Sequence, residues 1–157
     1  MDGQHRCDFD KARRMLFNRE RKFAFCAREK QDCCVKTNWK HLQELALAEI
    51  EATLAALPKP LREQAQKLPV TFEKVPNAGL QADGIESDTL GLFTGAEFAN
   101  DAGAVLPSQI IIFLENLWNF AEGDEKEFCD EVRTTFLHEL GHYFGLDEGD
   151  LTERGLD

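Results

Sequence analysis

Residues 124–150 read DEKEFCDEVRTTFLHELGHYFGLDEGD, and this stretch decides the fold. Phe128, Val132, Phe136, Leu140 and Phe144 recur at steps of four, so over residues 124–144 the apolar side chains share one stripe of a helix with 3.6 residues per turn. Gly145 is expected to end it, since the residue just past a helix often takes the left-handed conformation that glycine adopts without strain. Near the end of that helix His138, Glu139 and His142 form the pattern H-E-x-x-H. Side chains four apart on a helix share a face, with Cβ atoms about 5–6 Å apart, so this spacing brings two imidazoles together.

Working outward, the apolar run within residues 106–114 (LPSQIIIFL) reads as a buried strand, and residues 88–95 (DTLGLFTG) as a short strand bounded by glycine. Residues 70–75 (VTFEKV) alternate and are β-branched, which reads as a third strand. Between the first two strands in sequence, residues 76–87 read as loop; residues 115–122 are expected to add a helical stretch. Upstream, Asn38 is an N-cap candidate before Trp39, Leu42, Leu45, Ala46, Ile50, Leu54 and Leu57, an amphipathic helix stopped by Pro58 and Pro60. A short helix over 60–68 has proline at its first position. The expected fold class is therefore α+β: a small mixed sheet of three to four strands, an N-terminal helix, and a long site-bearing helix near the C-terminus.

The charge is unevenly distributed. Residues 1–40 hold 11 Lys and Arg against 6 Asp and Glu, while the rest hold 7 against 23. The acidic part is excluded as a general nucleic-acid binder, because phosphate contacts need clustered cations. Residues 1–36 read as a basic, Cys-containing extension, weakly ordered, before a single domain over 37–157. Its His5, Cys7, Cys26, Cys33 and Cys34 match no paired CxxC spacing, so a metal site there is disfavoured. An odd count of five cysteines, four of them before residue 35, reads as free thiols in a reducing cytoplasm. The longest apolar run, residues 110–114, is far short of the roughly 18–20 residues that cross a bilayer, so no membrane span is expected.

Two imidazoles on one helix face suit a zinc ion, and Glu139 beside them can reach a water rather than the metal. A hydrolytic zinc site needs a third protein ligand. Only 15 residues follow His142, which excludes a glutamate from a distant later helix. In the pattern H-E-x-x-H-x-x-G-x-x-H a glycine turns the chain and the third ligand follows three residues later; here Gly145 holds the glycine position and Glu148 the ligand position. Asp147 and Asp150 flank Glu148 and are the alternatives. Metzincins carry a methionine turn after the third ligand, whereas this chain has only Met1 and Met15, so it is not a full metzincin.

With these residues in view, the chain resembles the small bacterial zincin-like proteins known as minimal zincins. The resemblance runs from about residue 39 to 157 and is carried by residues 90–95 (LGLFTG), Leu106-Pro107 before residues 110–113 (IIIF), and residues 132–133 leading into 138–147 (HELGHYFGLD). It implies a zincin-like α+β fold, Zn2+ as cofactor and a peptide or protein substrate; the family commonly has aspartate at the position of Glu148. The reading that follows is a zinc metallopeptidase with His138, His142 and Glu148 as metal ligands and Glu139 as general base. The alternative is a non-proteolytic zinc-binding protein that uses the fold as a structural or partner-binding scaffold. Tyr143, beside His142, is expected to pack rather than to act.

Overall fold

The computed structural model of the chain describes residues 38–96, 98 and 107–156. The basic segment 1–36, with its cysteine group, lies outside the described residues. The elements run α1 (Trp39–Ala56), α2 (Lys59–Ala65), β1 (Val70–Glu73), α3 (Ala78–Ala82), β2 (Gly91–Thr94), β3 (Gln109–Phe113), α4 (Leu114–Phe120), α5 (Glu125–Tyr143) and α6 (Glu148–Glu153). This is the mixed α+β architecture expected.

The two long helices begin at side-chain caps. The Asn38 carboxamide oxygen accepts the Lys40 N–H at 3.2 Å and opens α1. The Asp124 carboxylate accepts the N–H groups of Lys126 and Glu127, both at 2.9 Å, and opens α5. Such caps satisfy amide groups that have no partner inside the helix. Along α1, Leu42, Ala46 and Ile50 are buried together with Thr53, whose hydroxyl donates to the Glu49 carbonyl at 2.8 Å.

The sheet has the order β1-β3-β2. β1 runs parallel to β3, pairing Val70 with Ile110, and β2 runs antiparallel to it, pairing Phe93 with Ile110. The central strand is covered on both faces: Ile110, Ile112 and Phe113 are wholly buried. That burial explains its continuous apolar sequence. Helix α5 lies across β2 and β3 and also packs against α1, driving Phe128, Val132, Phe136 and Leu140 into the common core. An Arg133 guanidinium gripping the Glu49 carboxylate at 2.6 and 2.7 Å ties α5 to α1.

Three details differ from the sequence expectation. The strand expected over 88–95 begins only at Gly91, because the Asn116 carboxamide donates to the carbonyls of Ser87 (2.9 Å) and Thr89 (2.8 Å) and holds that approach as a bend. The segment 76–87 is not all loop: the Asn77 side chain caps the N–H groups of Gly79 and Leu80, and α3 follows. Past residue 147, where no element was expected, the short helix α6 forms. Among the described residues, no helix is long and apolar enough to cross a membrane.

Candidate metal centre

His138 and His142 lie one turn apart near the end of α5, partly buried, with ring centroids 4.7 Å apart and their Nε2 atoms 3.0 Å apart. The other nitrogen of each ring is held by backbone. His138 Nδ1 donates to the Leu156 carbonyl, and His142 Nδ1 to the Leu146 carbonyl at 3.2 Å. A carbonyl oxygen only accepts, so each Nδ1 carries a proton and each Nε2 is the ring nitrogen turned toward the other imidazole. Both acceptors sit on anchored backbone, for Leu146 and Leu156 are buried in the core and donate their own N–H groups to Gly141 and Leu151.

Between the two acceptors the chain makes the expected turn. Gly145 takes φ 78° and donates to the His142 carbonyl at 2.9 Å, while Leu146 donates to Gly141 at 3.0 Å; this is a Schellman ending, which satisfies the last carbonyls of the helix. The three candidate carboxylates then part company. Asp147 caps α6, accepting the Asp150 N–H at 2.8 Å. Asp150 lies 3.5 Å from the Arg154 guanidinium. Glu148 alone returns to the imidazoles, its oxygens 3.2 Å from His142 Nε2 and 3.7 Å from His138 Nε2. Ligand-type atoms of His138, His142 and Glu148 all lie within 4.8 Å of one another.

Glu139 turns toward β2. It is buried, and its Oε2 accepts the Phe93 backbone N–H at 2.7 Å. Burial pushes its carboxyl above the ordinary carboxylate range; His138, the Phe93 hydrogen bond and His142 pull it back, and the Glu148 charge adds to the rise. Tyr143 is buried, its ring 5.9 Å from that of Phe93, 5.8 Å from Phe98 and 5.3 Å from Phe144, so it packs β2 onto the end of α5. Cys129, the cysteine among the described residues, is a free thiol raised in pKa chiefly by burial.

The sequence reading did not anticipate the backbone groups that hold this site: the Phe93 amide and the carbonyls of Leu146 and Leu156. Main-chain partners have no residue-type signature. The start of α6 did leave one, because Asp147 with Asp150 three residues later is a capping pattern at the head of a helix.

A long helix carrying H-E-x-x-H beneath a three-stranded mixed sheet, with a carboxylate brought back by a glycine turn, defines the zincin class of scaffold. A family model described as zincin-like metallopeptidase matches residues 65–156, more than half of the chain, and spans all three strands and both site helices. The chain belongs to that family. Searches of curated proteins and of solved structures returned no match.

The family generally binds zinc, and the donor set fits that ion. Zinc takes imidazole nitrogen and carboxylate oxygen at about 2.0–2.2 Å, so neighbouring donors of a tetrahedral site stand about 3.3–3.5 Å apart. The spacings of 3.0, 3.2 and 3.7 Å fall around that value. Three candidate donors are the number that catalytic zinc sites take from the protein, whereas structural sites are closed by four.

Proposed function

We propose that this chain is a zinc-dependent peptide hydrolase in which His138, His142 and Glu148 hold the metal and Glu139 is the general base. The observation that carries the reading is the convergence of both Nε2 atoms and the Glu148 carboxylate on one point, with Glu139 one residue along the helix yet outside that set. When bound, zinc supplies a Lewis acid that makes a water proton easier to remove and stabilises charge on the substrate carbonyl oxygen.

The protein's own residues do the rest. The Leu156 and Leu146 carbonyls fix the ring orientation and tautomer of the two histidines, as second-shell acceptors commonly do for metal-bound imidazole. With Glu139 Oε2 engaged by the Phe93 amide, Oε1 is the atom that takes the proton from the attacking water and returns it to the leaving amine. Its burial raises its proton affinity toward the operating pH, which suits a group that must both accept and release.

The test is a metal analysis of the purified chain beside Glu139→Gln, assayed on a mixed peptide library. Zinc at one per chain in both proteins, with cleavage only in the wild type, is the expected result. Equal cleavage by the two proteins rejects Glu139 as the base, and absence of cleavage by the wild type favours the zinc-binding scaffold.

A further inference from the structure

β2 is an edge strand whose two sides are used differently. On its inner side the Leu90 carbonyl accepts the Phe113 N–H at 2.9 Å, continuing the ladder to β3. On its outer side the Phe93 N–H is turned away from the sheet and given to Glu139. Two residues before Phe93, and therefore on the same side of the strand, stands Gly91. A Cβ at Gly91 would lie 2.5 Å from Thr135 Cγ2 and 3.1 Å from both Cγ and Oε1 of Glu139. The space a side chain would take is filled by the stem and carboxylate of Glu139 itself, with Thr135 one turn before it on α5.

Resting on the hydrolase reading above, we infer that Gly91 and the Phe93 backbone amide are positioning elements of the general base. A buried carboxylate without a donor is costly, and the amide supplies a charge-assisted hydrogen bond at one oxygen. That contact alone fixes one atom and leaves the carboxylate free to swing about it. Gly91 bounds the other side by shape, because a Cβ there would stand 3.1 Å from Cγ and Oε1 of Glu139 and press the carboxylate away by a few tenths of an ångström. Together they hold both oxygens of the Glu139 carboxylate against β2. The leucines on either side of Gly91 put the one residue without a side chain where the helix presses closest.

Gly91→Ala alone would crowd Thr135 as well as Glu139, so the comparison is made in a Thr135→Ser background, which removes the Cγ2 atom at 2.5 Å. Three quantities are read on Thr135→Ser and on Gly91→Ala/Thr135→Ser: zinc affinity by chelator competition, kcat and KM for peptide hydrolysis, and the Phe93 amide resonance of the metal-free protein. Thr135→Ser should match wild type. The double variant should hold zinc within about twofold, lose kcat severalfold with KM little changed, less than the about 100-fold that a displacement near 1 Å costs in other sites, and shift its Phe93 amide proton toward the position seen in Glu139→Gln. Adding Glu139→Gln to the double variant should leave kcat no lower than in Glu139→Gln alone. A double variant with the kcat and amide shift of Thr135→Ser overturns the inference, as does a parallel loss of zinc affinity. If wild type cleaves nothing, the hydrolase reading fails on its own, and the amide resonance still decides whether Gly91 seats Glu139. If the double variant does not fold, an unmoved Phe93 amide in Glu139→Gln overturns the inference by itself.

Discussion

The two halves of α5 share one apolar stripe but treat their polar groups in opposite ways. In the first half, Lys126, Glu127 and Asp130 face water and pair with one another, Lys126 with Asp130 at 2.7 Å and with Glu127 at 3.6 Å. Such exposed pairs contribute about 0.3–0.5 kcal/mol each and are screened by salt. In the second half, Glu139 is buried and the histidines partly so, and their fixed partners are backbone groups outside the helix: the Phe93 amide and the Leu146 and Leu156 carbonyls. Helix-local pairing keeps a surface soluble; pairing to main chain beyond the helix holds a side chain at a defined place. The second arrangement falls at the end of the helix that carries the proposed site.

That contrast can be broken by substitution, and the largest effect should come from the buried half. Glu139→Gln is expected to lower peptide hydrolysis about 10²–10⁴-fold, the usual contribution of a general base, with zinc content unchanged by elemental analysis. The same variant reports on pH. Because the folded-state carboxyl lies above its ordinary value, its share of stability is full below the carboxylate range and is lost as pH rises through the raised folded value. In denaturant melts of metal-free protein, wild type should therefore lose stability relative to Glu139→Gln as pH rises above the ordinary glutamate value of about 4. A constant gap across that range would show that burial does not perturb Glu139.

Next in size, Glu148→Ala should weaken zinc binding by more than the roughly 10- to 100-fold typical of second-shell groups, measured by competition with a chelator. Asp147→Ala removes the cap of α6 and should cost about 1 kcal/mol in thermal unfolding, with a smaller loss of zinc affinity than Glu148→Ala. The reverse order would mean that the turn presents Asp147 to the metal. Smallest of all, Lys126→Ala in the solvated half should change stability by less than about 0.5 kcal/mol, leave zinc binding untouched, and lose even that effect in high salt.

Reading the sequence recovers what depends on side-chain periodicity. The steps of four from Phe128 to Phe144 gave α5, the apolar run at Ile110–Phe113 gave the central strand, and the i, i+4 spacing of His138 and His142 set two rings on one face. What escaped is short or made of main chain. Helices α3 and α6 have five and six residues, less than two turns, so no periodic stripe can develop and only their Asn77 and Asp147 caps announce them. Spacing alone left Glu148, Asp147 and Asp150 open as third ligand; they separate only through partners that depend on the fold, an amide for Asp147, a guanidinium for Asp150 and imidazoles for Glu148. Gly91 was visible only as a residue inside the strand read over 88–95, and its contact with Glu139 depends on how α5 crosses the sheet.

The short segment from Leu146 to Leu156 contributes three things at once: the acceptor for each histidine and the Glu148 carboxylate. It is held down by three buried leucines, Leu146, Leu151 and Leu156, each worth about 1.5–3 kcal/mol of burial. Loosening it would release a carboxylate and both ring anchors together rather than one after another. On the zinc reading, the lifetime of a bound ion would be tied to the frequency with which this segment lifts from the core, and exchange of metal would be a local unfolding event whose rate tracks amide hydrogen exchange across residues 146–156.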